Sequence, residues 1–151
     1  MKKIIISDTS CLIALERINR LTILKEVFSE ITITPEVKSE YGKELPEWFK
    51  INQADDETVK LRLEKILDSG EASSIALASE LKNCLLIIDE KKGRAIAKEF
   101  HIETIGTLKI FLLAKQKGLI VSVKQLIDEL RNSGFRFSEG IVDALLNEAG
   151  E

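Results

Sequence analysis

Two aspartates stand where a parallel sheet would gather them. The opening stretch, Lys2 to Ser10, contains three consecutive isoleucines and then reaches Asp8, and residues 83–88 form a second apolar run that ends at Asp89. Such runs predict strands that are buried on both faces. Strands of this kind, joined through helices, lie parallel, so both carboxylates are expected at the edge where open α/β sheets bind ligands. This repetition is the strongest physical signal in the sequence.

A helix-capping role competes with a catalytic role for Asp8. An aspartate before Thr9 and Ser10 is more readily a helix cap when it is considered alone. The helix that follows is expected to begin at Cys11, with Thr9 or Ser10 as an alternative cap. Further acids at comparable places downstream favour the catalytic interpretation.

Glutamates on two predicted helices extend the acidic set. Glu71 lies in the first turn of a helix of small residues that begins near Asp68 and continues to Ala78. The positive end of the helix dipole favours an acid there and would by itself explain Glu71. Glu36 and Glu40 stand four residues apart on one helix face, which suits either a solvated surface or the neighbourhood of a cation.

Carboxylates that converge in a cleft repel one another unless a cation lies between them. Mg²⁺ and Mn²⁺ prefer oxygen ligands and bind phosphate oxygens, and such ions activate water for in-line displacement at phosphorus. Phosphodiester hydrolysis is therefore the reaction that fits. His101 is the only histidine and is expected to end a helix, which leaves no histidine as general base.

Two other classes of α/β protein fit the first strand poorly. Phosphatases with an acid nucleophile need a second acid two residues after the first, and Ser10 stands at that place. Dinucleotide-binding domains need a glycine-rich turn after the first strand, and residues 8–11 contain no glycine.

The remaining pattern alternates strands and helices. A break at Asn19 divides the first helical region, and Trp48 and Phe49 lie in an expected irregular excursion, where they pin the loop to the core or stack on a base. The predicted strands are residues 2–7, 30–34, 83–88 and 102–105. The predicted helices are residues 11–17, 21–28, 35–41, 55–67, 68–78, 91–100, 108–117, 123–132 and 139–148.

Composition is that of an ordinary globular protein. The 151 residues are 44% hydrophobic and carry a net charge of −3, so any nucleic-acid binding must come from a local basic patch or from metal ions. No signal peptide or transmembrane run is evident, so we expect a single domain over residues 1–151, a cytoplasmic location and no membrane partner. Cys11 and Cys84 are expected to be reduced core residues.

The densest basic segment follows Asp89. Lys91, Lys92, Arg94 and Lys98 lie on the helix that begins beside the acids. They form either an RNA contact or a solvated face.

Six motifs follow one another along the chain: Ser7-Asp8-Thr9-Ser10, Pro35-x-Val37-x-x-Glu40, Gly70-Glu71-Ala72-Ser73, Ile88-Asp89 with Arg94, Ile105-Gly106-Thr107-Leu108 and Gly134-Phe135-Arg136-Phe137-Ser138. Their order and spacing resemble the PIN domain of the VapC-like type over nearly the whole chain. The resemblance implies a three-layer α/β/α fold with a central, mainly parallel sheet, and an Mg²⁺- or Mn²⁺-dependent ribonuclease acting on RNA. It also implies the toxin of a toxin–antitoxin pair, a small antitoxin partner and a homodimer.

The resemblance also implies roles for individual residues. It makes Asp8, Glu71 and Asp89 metal ligands, with Glu40 a ligand directly or through water, and it places Thr107 near the metal to orient a ligand or water. Many family members carry Asp where this chain has Glu71. Glu90 is an additional candidate ligand, although a solvent-facing side chain is the preferred interpretation.

Two alternatives stay open. The chain could bind RNA or a protein partner without cleaving RNA, or it could be a housekeeping nuclease outside any toxin system. The four acids favour catalysis but do not separate a toxin from a housekeeping enzyme.

Overall fold

The computed structural model describes residues 3–151, which form five strands and nine helices. Lys2, where the first strand was expected to begin, lies outside the described residues. The strands are β1 Ile4–Ser7, β2 Ile31–Ile33, β3 Phe49–Ile51, β4 Cys84–Ile87 and β5 Glu103–Ile105. The helices are α1 Thr9–Arg17, α2 Thr22–Phe28, α3 Pro35–Tyr41, α4 Thr58–Leu63, α5 Ser69–Glu80, α6 Lys91–Glu99, α7 Thr107–Gln116, α8 Val123–Asn132 and α9 Glu139–Glu148.

The five strands form one sheet in the order β3-β2-β1-β4-β5, and every neighbouring pair is parallel. The chain fills one half of the sheet with β1 to β3 and then crosses to the other side of β1. The pair β1 and β4 is therefore the point at which the strand order reverses, where open parallel sheets leave a crevice beyond their carboxyl ends. The predicted α/β fold with a central parallel sheet is confirmed.

Alternate residues of the central strands enter two hydrophobic cores, one on each face of the sheet. Ile5 and Ile87 belong to the larger core, which α1, α2, α3, α7, α8 and α9 complete. Ile6 and Leu86 belong to the smaller core, which α4, α5 and α6 complete. Burial on both faces explains why the strands are continuous apolar runs, and it gives the three-layer arrangement.

Side-chain caps fix where several helices begin. Asp8 itself caps α1, because its Oδ1 accepts from the backbone N–H of Cys11 at 3.2 Å. The expectation that α1 starts at Cys11 with a Thr9 or Ser10 cap is therefore wrong. The predicted start of α3 is confirmed, with Thr34 as the cap and Pro35 as the first helical residue.

The stretch expected to be irregular contains β3, the edge strand next to β2. Only three residues pair there, and Lys50 and Ile51 are exposed, so alternation of apolar and polar residues gives a weak strand signal. Phe49 is buried, and the Trp48 ring stacks on it with centroids 4.3 Å apart. The two rings pin this segment to the larger core.

Other boundaries differ less. The helix expected over residues 55–67 is shorter, and α4 ends at Leu63. The break at Asn19 is confirmed by a left-handed backbone with φ 61°. Among residues 3–151, no helix combines the length and the apolar character that crossing a membrane requires.

Glu151, which follows α9, attaches the end of that helix to α7 and to the start of α8. Its carboxylate accepts from the N–H groups of Val123 and Lys124, the Ser122 hydroxyl and the Lys115 ammonium, at 2.7 to 3.1 Å. Partial burial alone would raise the pKa of Glu151, but Lys115 and the N–H donors lower it to about 2. The ionised form is therefore the one that stabilises this contact.

We expect Glu151→Gln to lower the melting temperature at pH 7 by about 2 to 4 °C, the effect of losing about 1 kcal/mol from a domain of this size. A carboxyl with a depressed folded-state pKa contributes stability above its ordinary pKa of 4.5 and loses it as the pH falls toward 2. The difference between variant and wild type should therefore shrink below pH 4.5 in thermal melts.

Glu148→Gln is the matched control, because Glu148 forms an exposed ion pair with Lys109. Such pairs contribute little to stability. Equal melting temperatures for all three proteins at pH 7 would contradict a stabilising role for Glu151.

Candidate functional site

The candidate site lies in the crevice beyond the carboxyl ends of β1 and β4. Asp8 follows β1 directly and is 2% exposed. Its backbone N–H donates to the carbonyl of Ile87 at 3.0 Å, which continues the parallel pairing beyond the strand. The end of β1 and the end of β4 are therefore held together, and the two aspartates that follow them are neighbours, as the sequence pattern predicts.

Asp89 is fixed by the first residue of α7. Its Oδ1 accepts from the Thr107 N–H at 2.8 Å, and its Oδ2 accepts from the Thr107 hydroxyl at 2.6 Å. Thr107 is buried, whereas Asp89 is exposed. The threonine thus orients an acid that faces the crevice.

Glu71 lies at the start of α5 and is 5% exposed. Its N–H donates to Oδ1 of Asp68, the N-cap of α5, at 2.8 Å. A Cβ on residue 93, in the first turn of α6, would stand 3.1 Å from Glu71 Oε2 and 2.6 Å from Ile88 Cδ1. Gly93 therefore leaves the space in which the Glu71 carboxylate lies against α6.

Glu40, at the exposed end of α3, reaches two other helices. Its Oε1 accepts from the Thr9 hydroxyl at 2.5 Å, and its Oε2 accepts from the Gly70 N–H at 3.0 Å. Glu40 thus connects α3 to the first turns of α1 and α5. Of the four predicted acids, Asp8 interacts electrostatically with both Asp89 and Glu71. Glu40 contacts the starts of α1 and α5.

Burial and like charge raise two carboxyl pKa values at this site. Burial, followed by the negative charge of Asp89, raises the pKa of Asp8 to about 7, although N–H donors partly oppose the shift. Burial, a hydrogen bond with Asp68, and the charges of Asp68, Glu90 and Asp8 raise the pKa of Glu71 to about 8. The cluster therefore carries more negative charge than its surroundings balance.

Divalent cations fit this cluster by the type of its donors. Carboxylate oxygens suit Mg²⁺ or Mn²⁺, and a cation would offset the cost of burial and the like-charge repulsion that together raise both pKa values. Within residues 3–151, however, no three ligating side chains are already grouped closely enough to hold a metal ion. Both oxygens of Asp89 accept from Thr107, and both oxygens of Glu40 are hydrogen-bonded. Ligation would therefore use their remaining lone pairs and require the acids to come closer together.

The sequence was compared with models of known protein families. The family model described as DUF3368: PIN domain matches residues 4–151. The chain belongs to the PIN-domain family. PIN domains are generally nucleases, which supports a hydrolase. No curated protein matches the sequence.

The PIN-domain resemblance is thus confirmed, and the VapC-like type stays a prediction. The site residues also stay predictions, although the structure brings them to one edge of this PIN domain.

The basic segment flanks the acids along α6. Arg94 lies near Asp89, because a Cβ on Gly106 would stand 3.8 Å from Arg94 Nη1 and 3.0 Å from Asp89 Oδ1. The other three cations of this helix are exposed, and none of the four forms an ion pair within residues 3–151. These three are Lys91, Lys92 and Lys98.

Glu90 is exposed, which agrees with the expected solvent-facing side chain. Its negative charge nevertheless contributes to the raised pKa of Glu71. His101 follows α6 in a left-handed conformation, φ 59°, and its N–H donates to the Lys98 carbonyl at 2.9 Å. Cys11 and Cys84 are free thiols, buried and half-buried respectively.

Sequence reasoning missed three residues that shape the site. Asp68 caps α5 and adds a fifth acid to the site. Because it stands three residues before Glu71, the pair resembles a capping box, and this spacing is a signal by which the sequence could have indicated Asp68. Thr9 and Gly93 contact Glu40 and Glu71 only through the folded chain. Sequence spacing gives no signal for contacts of this kind.

We expect Asp8→Asn to raise the melting temperature at pH 8 by about 2 to 4 °C or more, because it removes a charge that the folded protein disfavours. The folded-state pKa, about 7, exceeds the ordinary value of 3.8. Asp8 therefore costs stability progressively from about pH 4 to 7 and fully above 7, so the gain should vanish near pH 4. Asparagine can still accept from the Cys11 N–H and keep the cap.

Thermal melts of the metal-free protein between pH 4 and 8 measure this effect. Asp143→Asn is the control, because Asp143 is exposed and forms no ion pair or hydrogen bond among the described residues. A less stable Asp8→Asn protein at pH 8 would show that capping outweighs charge repulsion.

Proposed function

We propose that this PIN domain is an Mg²⁺- or Mn²⁺-dependent ribonuclease that hydrolyses RNA phosphodiester bonds. The proposal rests chiefly on one observation. Three acids from separate elements, Asp8, Glu71 and Asp89, lie near the point where the strand order reverses. Burial and the charges of neighbouring acids raise the pKa values of Asp8 and Glu71. A site that concentrates uncompensated carboxylates is suited to a divalent cation.

Asp8, Glu71 and Asp89 would hold the cation, and Thr107 would orient Asp89 through its two hydrogen bonds. A bound divalent ion supplies activation of water and stabilisation of charge on phosphate oxygens. The buried cap of Asp8 and the close contact of Glu71 with α6 limit how far these two carboxylates can move. Asp8 and Glu71 are therefore held in place at the crevice, and the exposed Asp89 would complete the set of oxygen donors around a bound ion.

The cations of α6 would guide RNA to this wall. Arg94 stands beside Asp89, and the lysines before and after it continue along the exposed face of the helix. Contacts with phosphates fix a nucleic acid without reading its sequence. The PIN domain can thus bind an RNA backbone locally despite its net charge of −3.

We expect the purified protein to cut labelled single-stranded RNA with Mg²⁺ or Mn²⁺ and not with chelator. Asp8→Asn and Asp89→Asn should each lower the cleavage rate by about 100-fold or more, because each removes a charged oxygen ligand. The control Asp143→Asn should cut at the wild-type rate. Circular dichroism verifies that every variant is folded.

The opposite result has a definite meaning. A folded wild-type protein that binds RNA and does not cut it with either metal would favour the non-catalytic RNA-binding alternative. Cutting that persists in both variants would place the active site elsewhere.

We further expect Lys92→Ala combined with Arg94→Ala to weaken RNA binding and to reduce its dependence on salt. Each lost phosphate contact lowers the slope of log K against log salt by roughly 0.7 for a single strand. Fluorescence anisotropy in chelator measures binding without cleavage. Lys25→Ala combined with Lys117→Ala removes the same charge from other exposed positions, and an equal loss of affinity there would contradict a specific role for α6.

The toxin role, a small antitoxin, a homodimer and the alternative housekeeping role stay predictions of the resemblance. Growth arrest on expression, rescue by a protein encoded beside the gene, and the molar mass in solution test them.

A further inference from the structure

We propose that Glu40 is a positioning residue, which together with Thr9 and Gly70 holds the start of α5 beside Asp8, and not a direct ligand of the metal. The inference rests on the proposed nuclease site and changes the role of one of its four predicted acids. Neither Thr9 nor Gly70 was expected to act at the acidic site.

The contact joins three helices at one point. Glu40 lies on α3, Thr9 is the first residue of α1, and Gly70 is the second residue of α5. The Thr9 hydroxyl donates to Oε1 and the Gly70 N–H donates to Oε2, so each carboxylate oxygen already has a partner. The first N–H groups of a helix have no partner inside the helix, so Glu40 supplies one that α5 lacks.

Gly70 makes this approach sterically feasible. A Cβ at that position would stand 2.2 Å from Glu40 Oε1 and 2.9 Å from Thr9 Oγ1. Any side chain would displace the carboxylate, because non-bonded atoms cannot come this close. The glycine thus belongs to the same contact as the two polar side chains.

The contact determines where Glu71 stands. Gly70 directly precedes Glu71. Glu40 accepts from the Gly70 N–H and Asp68 accepts from the Glu71 N–H, so two side-chain carboxylates hold the first turn of α5. A second tie joins α3 to α5, because the hydroxyls of Thr34 and Ser73 lie 2.7 Å apart. Loss of Glu40 would therefore free the end of α5 that carries Glu71 and leave the rest of that helix attached.

A neutral glutamine separates positioning from ligation. In Glu40→Gln the amide oxygen can still accept from the Gly70 N–H, and the amide NH₂ can donate to the Thr9 hydroxyl, which accepts as well as donates. Both contacts survive while the charge is lost. A positioning role is therefore preserved in this variant, whereas a charged metal ligand is not.

The experiment measures two quantities on the intact protein: amide hydrogen exchange at Gly70 and Glu71 by NMR without metal, and Mn²⁺ affinity by titration calorimetry. We expect Glu40→Ala to speed exchange at both amides and to weaken Mn²⁺ binding about tenfold. Glu40→Gln should stay within about threefold of wild type in both measurements. Thr9→Val should change amide exchange and Mn²⁺ affinity in the same direction as Glu40→Ala, whereas Thr9→Ser should keep wild-type values of both. The double variant Thr9→Val with Glu40→Ala should show no larger change than Glu40→Ala alone.

Glu44→Gln is the charge-matched control, because Glu44 is exposed and has no hydrogen bond or ion pair among the described residues. The positioning role is overturned if Glu40→Gln loses Mn²⁺ affinity as strongly as Asp8→Asn while Thr9→Val keeps it, or if Glu40→Ala leaves exchange at Gly70 unchanged. A wild-type protein that binds no Mn²⁺ would contradict the nuclease proposal, and the exchange measurement would still decide the role of Glu40.

Discussion

The structure depends on the attachment of carboxylates to helix amino termini. In a parallel sheet the helix that follows a strand begins at the carboxyl edge, so its free N–H groups point to the same crevice as the acids. Asp8 accepts from α1, Asp68 and Glu40 accept from α5, and Asp89 accepts from α7. Each attachment orders the helix that provides the N–H group, and at the buried Asp8 it also compensates part of the cost of burying charge. The acidic cluster and the fold therefore form through the same hydrogen bonds.

These hydrogen bonds do not fully compensate the negative charge of the acidic cluster. N–H donors lower the pKa of Asp8, yet burial and Asp89 together outweigh them. The free energy that the cluster costs is opposed by two apolar cores, one on each face of the sheet. An acidic cluster that repels itself in the absence of a cation is consistent with the proposed function, since functional sites are often less stable than the scaffold that supports them.

The sequence predicted the features that depend on local pattern. The apolar runs before Asp8 and Asp89 gave two central strands and their shared edge, and Thr34 with Pro35 gave the start of α3. The edge strand β3 was missed because a strand of one buried and two exposed residues carries little pattern. The contacts of Thr9 and Gly93 depend on distances between helices, which spacing along the chain does not encode. The assignment of Glu40 was incomplete for the same reason, since its partners lie 30 and 31 residues away.

The acids are attached to both helical layers. Helices α1 and α7 pack in the larger core, whereas α5 packs in the smaller core on the opposite face. The distance between Asp89 and Glu71 therefore reports how the two layers are aligned across the sheet. A volume change deep in either core, such as one at Ile75 or Phe111, would alter that alignment without touching an acid. The packing of the two cores thus sets the geometry of the acidic cluster as well as the stability of the fold.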